Sequence, residues 1–193
     1  MSKGELTREA IVARGAEVAS RIGVAGLTIG SLATQVEMSK SGLFAHFRSK
    51  EGLQLQVLAH ARESFIAEVV RPALAAPRGE PRVCELFERW LGCSGTGRAG
   101  CLFVSAATEF DDQPGAVRDQ LVGDHRDLMD TIVQIVGTGV AEGHFRADLE
   151  GAQFAHDLHG VMLAHFHAHR LLRDPQAEAR ARRAFRALLT DAR

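Results

Sequence analysis

Two short amphipathic segments, separated only by Glu37 and Met38, constrain the fold of this chain most strongly. The second begins at Ser39 and carries Leu43 and Phe47 four residues apart. The first has apolar residues at the spacing of one helix face, namely Ile29, Leu32, Ala33 and Val36. Two short helices joined by so tight a turn are typical of a helix-turn-helix unit. The second helix of such a unit can enter the major groove of DNA.

The second of these helices is predicted to have two different sides. We expect Leu43 and Phe47 to pack against Leu32 and Val36 of the preceding helix. Lysine can reach a phosphate or a guanine edge, serine can donate hydrogen bonds, and glycine lets the backbone approach closely. Residues of these types should point away from the core, together with an aromatic residue and a histidine: Lys40, Ser41, Gly42, Phe44 and His46.

Residues flanking this helix complete a predicted DNA interface. Thr28 begins the preceding helix, where a hydroxyl and the helix dipole favour phosphate, and Lys50 could hold the neighbouring backbone. Such contacts set register, whereas base contacts confer sequence preference. The alternative is that Thr28, Ser39 and Ser49 only cap helices and that His46 and Lys50 are solvated surface. The predicted interface consists of Thr28, Ser39, Lys40, Ser41, Gly42, Phe44, His46 and Lys50.

The rest of the chain also shows helical rather than strand periodicity, with Gly and Pro between the apolar runs. Further helices are expected near 82–93, 101–111, 114–142, 150–172 and 175–190. The chain is therefore predicted to be all-α. A DNA-binding helix-turn-helix domain should occupy 1–49 and a larger helical bundle 50–193, with a connecting helix over 50–72 that Pro72 breaks.

Charge and cysteine content narrow the functional class. Residues 1–50 carry seven Lys and Arg against four Asp and Glu, whereas residues 51–193 carry sixteen against twenty. A basic first segment is weak support for contact with a polyanion. Three cysteines without a CxxC spacing suit a reducing compartment. We expect a cytoplasmic protein, because no secretion signal or membrane-length apolar run is evident.

The segment LTIGSLATQVEMSKSGLFAHFRSKEGL, residues 27–53, resembles the DNA-binding domain of the TetR family of bacterial transcriptional regulators. The residues that match the family pattern are Ser39, Lys40, Leu43, His46, Phe47 and Lys50. Two positions depart from it. Phe44 stands where the family usually has a tyrosine that binds phosphate, and Glu37 stands in a turn where glycine is common. The resemblance is strong over about residues 7–55 and rests elsewhere on length and helical layout.

This resemblance implies a homodimer that binds a near-palindromic double-stranded DNA operator, with recognition helices about 34–36 Å apart. It also implies that the last two long helices form the dimer interface. A cavity in each bundle would bind a small effector, and repression is the family's common mode of action. We expect no cofactor, no metal, no membrane association and no enzymatic activity.

Effector pockets in helical bundles are mainly apolar with a few polar groups. An aromatic and methionine-containing set would favour a hydrophobic or planar effector. The predicted lining consists of Trp90, Phe103, Phe110, His125, Met129, Phe154, His159, Met162 and Phe166. Ordinary core packing is the alternative interpretation of each of these residues.

Alternative roles in metal sensing, thiol sensing or catalysis would depend on side chains at scattered positions in the sequence. The pairs His156/His159 and His165/His169 have spacings that could place two imidazoles on one metal. Cys101, near Arg98, could be a reactive thiol at a helix start. A cation could also bind the acidic set Glu109, Asp111, Asp112 and Asp119. His156, His159 and Cys101 could be arranged for catalysis, but no GxSxG, phosphate loop or Rossmann glycine pattern is present. A non-regulatory architectural DNA-binding protein is a further alternative.

Overall fold

The computed structural model describes residues 3–93 and 99–193, with side chains over 8–93 and 102–193. Throughout these ranges the regular elements are helices and none is a strand, so the all-α prediction is confirmed. Within them, no helix is both long enough and apolar enough for a bilayer span. The elements are α1 (Lys3–Ile22), α2 (Ile29–Gln35), α3 (Lys40–Phe47), α4 (Lys50–Phe65), a π-helical segment (Ile66–Val70), α5 (Arg71–Ala75), α6 (Glu80–Cys93), α7 (Ala99–Phe110), α8 (Ala116–Ala141), α9 (Gly151–Arg170) and α10 (Ala177–Ala192).

Local sequence explains where the first helices begin and end. Gly23 ends α1 with a φ of +82°, a left-handed conformation that glycine adopts without a Cβ clash. Thr28 caps α2 in a capping box with Ser31, and the Ser39 hydroxyl caps α3. Ser49 Oγ accepts a hydrogen bond from Gly52 N–H at 2.9 Å, which places Lys50 in the first turn of α4.

The connecting helix predicted over 50–72 differs from the structure. The regular α-helix ends at Phe65, a π-helical turn follows over Ile66–Val70, and α5 continues to Ala75 with Pro72 in its first turn. Proline lacks an N–H and its ring collides with a carbonyl in a regular helix interior, whereas the first turn tolerates both defects. The chain therefore changes from α-helix to the wider π-helix before Pro72, and the helical segment does not end at Pro72.

The chain forms two compact units. The first combines Met1–Phe65 with Thr96–Gly123, and the second combines Ile66–Gly95 with Asp124–Arg193. In the first unit, the apolar residues of α1–α3 share one core with α4, α7 and the start of α8. This core includes Leu32, Leu43, Leu53, Leu58, Leu102 and Ala106. The division of function predicted at residues 49 and 50 stays a prediction.

The second unit has its own buried apolar residues. The rings of Phe87 and Phe185 stack with centroids 4.0 Å apart and planes inclined by 10°. Ile132, Ile135 and Leu158 are fully buried. Arg182 of α10 donates to Glu88 of α6 at 3.0–3.2 Å, which adds directional bonds between helices that the apolar core alone would not supply.

Candidate nucleic-acid interface and effector site

The buried side of α3 is the one that the sequence predicted. Leu32 and Leu43 are fully buried, Phe47 is 3% exposed, and Val36 is half-buried against the same core. Because these contacts hold α3 by one face only, the opposite face is available to a partner. The predicted packing within the helix-turn-helix unit is confirmed.

The other side of α3 presents polar groups and one large aromatic ring. Lys40 and Ser41 are exposed, Phe44 is 56% exposed, and Gly42 and His46 are half-buried. The exposed Phe44 ring can supply an apolar contact to a partner of this face. The side-chain placement agrees with the predicted interface, although DNA contacts as such stay a prediction.

Ser39 and Gly42 also have a role within the helix itself. The Ser39 hydroxyl accepts a hydrogen bond from Gly42 N–H at 3.1 Å and lies 3.2 Å from the Ser41 hydroxyl. A Cβ on Gly42 would lie 3.2 Å from Ser39 Oγ, a tight contact. Glycine at this position therefore serves the cap as well as any close approach to DNA.

Lys40 lies beside the first turn of α2. A Cβ added to Gly30 would lie 3.4 Å from Lys40 Cε, 3.7 Å from its Nζ and 3.8 Å from Thr28 Oγ1. The ammonium group and the Thr28 hydroxyl thus flank one short stretch of backbone. Thr28 N–H and O–H both face Ser31 Oγ, at 3.0 and 3.1 Å. This arrangement places a cation and a helix N-terminus together, which suits a phosphate oxygen.

Arg48 is an exposed cation that the sequence analysis missed. It ends α3 in the left-handed conformation, with a φ of 62°, and precedes the exposed Lys50 by two residues. The available signal was the run Arg48-Ser49-Lys50, in which two cations flank a capping serine. Arg48 joins Lys50 as a candidate for contact with the flanking DNA backbone.

The turn between α1 and α2 is bonded by two residues, Glu109 and Gln54, that the sequence analysis did not assign to the DNA interface. Ala25 N–H donates to Glu109 Oε2 at 2.6 Å, and Gln54 Nε2 donates to the Val24 carbonyl at 2.7 Å. Glu109 was predicted as a possible cation ligand with Asp111, Asp112 and Asp119. The structure instead shows one of its oxygens accepting a backbone hydrogen bond. No local sequence pattern marks either contact, since the partners are 84 and 30 residues apart.

Three of the predicted effector residues form one aromatic cluster in the second unit. The rings of Trp90 and His159 are stacked at 6.1 Å between centroids, and His125 meets His159 edge-on at 5.9 Å. Trp90 is 4% exposed, whereas both histidines are half-buried. Burial lowers the pKa of His159, and the neighbouring His125 and His156 lower it further. A neutral imidazole beside a large ring can stack and exchange hydrogen bonds with a ligand.

The other predicted effector residues are distributed differently. Phe103 and Phe110 belong to the first unit, where Phe103 packs edge-on against Phe65 at 6.4 Å. Phe154 stacks on Phe145 at 6.2 Å, and Arg170 lies 5.5 Å from the Phe166 ring centroid. Met162 is buried and Met129 is half-buried. A single lining made of all nine residues stays a prediction.

Among the described residues, the side chains proposed for metal sensing do not assemble into a metal site. In the parts of the chain that the structure describes, no three His, Cys, Asp or Glu side chains are arranged to hold a metal ion. His165 and His169 stack at 5.5 Å. Burial and the nearby Glu80 raise the pKa of Cys84, the reverse of what a reactive thiol requires. Arg98 and the Cys101 side chain lie outside the described residues.

Two family models match this chain. The model for bacterial regulatory proteins of the tetR family matches residues 11–57, and the model for the tetracyclin repressor-like C-terminal domain matches residues 79–185. The first match contains α2, α3 and the residues of the predicted interface. The second covers more than half of the chain and contains the Trp90–His159 cluster. No curated protein sequence matches the chain.

Solved structures with the same fold cover nearly the whole chain. A TetR transcriptional regulator from Chloroflexus aurantiacus J-10-FL is 25% identical, with a TM-score of 0.82 over 98% of this chain and 96% of its own. A TetR-family regulator from Streptomyces coelicolor is 18% identical, with a TM-score of 0.80 over 94% and 87%. AibR, solved with isovaleryl coenzyme A and operator DNA, is 17% identical, with a TM-score of 0.73 over 91% and 94%.

Proposed function

The chain belongs to the TetR family of bacterial regulatory proteins, and from this premise we propose that it is a homodimeric repressor that a small, mainly apolar effector releases from its operator. DNA-binding transcriptional regulation is the activity of the family. The observation that carries the proposal is the two-sided α3. Leu43 and Phe47 are buried, while Lys40, Ser41 and Phe44 remain exposed on the opposite face.

In this proposal, one group of residues in the helix-turn-helix unit contacts phosphates and another group contacts base edges. Lys40 and Thr28 contact one phosphate, because they flank the first turn of α2, and Lys50 contacts another. Ser41, Phe44 and His46 face the base edges, with the Phe44 ring against a thymine methyl or a sugar. Phe44 lacks the hydroxyl of tyrosine, so it supplies apolar contact in place of a phosphate hydrogen bond.

The proposed dimer pairs α9 and α10 with the same helices of a second copy. Leu163 is 41% exposed on α9, and Leu171 and Leu172 after it are 71% and 62% exposed. Burying these leucines against a second copy would remove apolar surface from water. Small residues beside them, Gly160 and Ala164, would let two helices approach closely. A two-fold axis here would give each operator half-site its own copy of α3.

The proposed effector site is centred on Trp90, His125 and His159. The faces and edges of these three rings suit a planar or apolar ligand, and the imidazoles can exchange hydrogen bonds with a polar group at its edge. Two proteins of this fold are named with an organic molecule that has an apolar part, an isovaleryl group in one and a steroid in the other. AibR was solved with isovaleryl coenzyme A, and KstR2 of Mycobacterium tuberculosis is described as a ketosteroid regulator. Nothing found among the described residues favours a metal or an oxidant as the effector.

Selection from a random pool of double-stranded DNA tests the proposal. The purified protein should enrich one near-palindromic sequence, and sedimentation of the complex should give two chains per site. Lys40→Ala should weaken binding by about 1–2 kcal/mol for every sequence. It should also reduce the salt dependence by about one phosphate contact.

Ser41→Ala is the matched comparison for that variant. It should change sequence preference while leaving the salt dependence as it is, because Ser41 carries no charge. A wild-type protein that binds all duplexes equally would contradict the proposed function. A Lys40→Ala loss confined to one base position would reassign Lys40 to a base edge.

A further inference from the structure

We propose that Gln54 and Glu109 are positioning residues that orient the reading head, defined as α1–α3, on α4 and α7. Through this orientation they set the half-site spacing that the dimer accepts. The inference rests on the proposed function, since spacing has a meaning only for a dimer on a two-part operator. It assigns part of the operator specificity to two side chains that touch no DNA.

The two side chains bind consecutive backbone groups of a single turn. Glu109 Oε2, from α7, accepts a hydrogen bond from Ala25 N–H at 2.6 Å. Gln54 Nε2, from α4, donates to the Val24 carbonyl at 2.7 Å. One contact therefore uses a donor of the turn and the other uses an acceptor, from two different helices. Together the two hydrogen bonds restrict rotation of the turn relative to α4 and relative to α7.

The turn is shaped to receive the Glu109 carboxylate. Gly23 has a φ of +82°, and a Cβ there would lie 2.7 Å and 2.8 Å from the two carboxylate oxygens. Only glycine allows both this backbone conformation and the close approach. The carboxylate thus lies directly over the end of α1, where a change in its position would be transmitted to the turn.

The two hydrogen bonds add an angular restraint to the packing of the apolar core. Val24 and Leu27 are fully buried in the core that also contains Leu102 and Ala106. Hydrophobic burial is not directional, so the core orients the head only through the fit of its side chains. Hydrogen bonds weaken steeply when misaligned, and Gln54 is only 4% exposed, so its amide would be costly to leave unpaired. These bonds therefore favour one angle over its neighbours.

The expected consequence is a change in spacing rather than in base contacts. The turn at 23–26 precedes α2, and neither Gln54 nor Glu109 forms part of the exposed face of α3. A head that is free to rotate keeps its own contacts with a half-site. It can, however, follow half-sites moved by one base pair, a shift of about 3.4 Å along the duplex.

Operators with altered spacers test this inference. Affinities would be measured for the palindrome selected by the wild-type protein, for versions with one base pair added or removed, and for an isolated half-site. We expect the wild type to prefer its own spacing by about tenfold or more, and Glu109→Ala and Gln54→Met to reduce that preference to about threefold or less. Half-site affinity should stay at the wild-type value.

Two further variants make the result specific. Asp112→Ala removes an exposed acidic side chain near Glu109 without touching the turn, so it should keep the wild-type spacing preference. Glu109→Gln retains an oxygen that can accept from Ala25 N–H, and it should restore most of the preference. It also provides a folded comparison if Glu109→Ala lowers stability.

The outcomes separate this inference from the proposed function. Unchanged spacing preference in both Glu109→Ala and Gln54→Met would overturn it while leaving operator binding established. A parallel loss of half-site affinity would also overturn it, because that result indicates damage to the head itself. A wild-type protein with no preferred palindrome would refute the proposed function, and the inference with it.

Discussion

Glu37 occupies a position where the family commonly has glycine, and its backbone conformation is unfavourable for a residue with a Cβ. It has a φ of +54° in the turn between α2 and α3, a conformation that glycine adopts more readily than any residue with a Cβ. The family's preference for glycine at this position therefore has a conformational origin. Glu37 also places an exposed negative charge beside the predicted DNA interface.

We expect Glu37→Gly to be neutral or to stabilise the protein by up to about 1 kcal/mol, because it relieves the left-handed strain. It should also tighten operator binding about two- to tenfold, since one repulsive charge is removed. Thermal unfolding and operator titration at two salt concentrations measure the two effects.

Arg173→Gly is the control for this prediction. Arg173 has a φ of +50° in the second unit, so the substitution relieves similar strain away from α3. It should change stability without changing operator affinity. Equal operator affinities for Glu37→Gly and wild type would show that the Glu37 charge does not act on DNA.

Among single residues, those whose roles could be predicted from the sequence are those that contact near neighbours along the chain. Thr28 and Ser39 were identified as caps as well as candidate contacts, because a cap bonds within three residues of itself. Gln54 and Glu109 escaped prediction, because their partners belong to another helix and turn. Their side chains carry no local signature of this use.

Among the elements, helix α3 was predicted in full and the helix over 50–72 only in part. In α3 the two apolar residues four positions apart define the buried side, and that relation depends on helix geometry alone. The π-helical segment Ile66–Val70 has no comparable sequence signal. It depends on how the chain accommodates Pro72 while continuing to Ala75, which periodicity does not report.

We expect two histidines of α9 to make the stability of the protein dependent on pH. Burial lowers the pKa of His159, and the neighbouring His125 and His156 lower it further. Burial also lowers the pKa of His165, although a backbone hydrogen bond with Ala177 opposes the shift. In the unfolded chain their pKa returns to about 6.5, so the unfolded state binds more protons below that pH. Stability should therefore fall as the pH is lowered from about 7 through 6.5 and toward the lower pKa values of the folded state.

His159→Leu and His165→Leu should each make this decline in stability shallower, because each removes a group that the folded state keeps neutral. Urea unfolding at a series of pH values between 5 and 8 measures it. His167→Leu, an exposed histidine on the same helix, is the control. A decline of wild-type steepness in both buried-histidine variants would assign the pH dependence to other groups.

For the whole molecule, the proposed regulation requires that a ligand in the second unit alter DNA binding by the first. The chain offers a direct route, because α8 has its first residues in one unit and the remainder in the other. A ligand that stabilises one arrangement of the Trp90 cluster can then bias the helix that both units share. Coupling of about 1–3 kcal/mol would lower operator affinity about 5- to 150-fold.

Trp90 provides the measurement, since it is the only tryptophan in the sequence. Planar or apolar ligands that bind the cluster should change its fluorescence and release the operator over the same concentration range. His159→Ala should weaken both effects. Phe154→Leu should weaken neither, because Phe154 stacks on Phe145 instead of Trp90. Ligands that alter the fluorescence and leave operator affinity unchanged would contradict the regulatory proposal.

The sequence by itself determined the helical class, most helix positions, the buried side of α3 and the family. Each of these follows from spacing within one helix or from a short motif, which are properties of neighbouring residues. Only the tertiary structure decided that Glu109 bonds the turn after α1, that Trp90 meets His125 and His159, and that Phe103 belongs to the other unit. Such contacts join residues far apart in the chain, and the packing of whole helices brings them together. No local pattern encodes that packing.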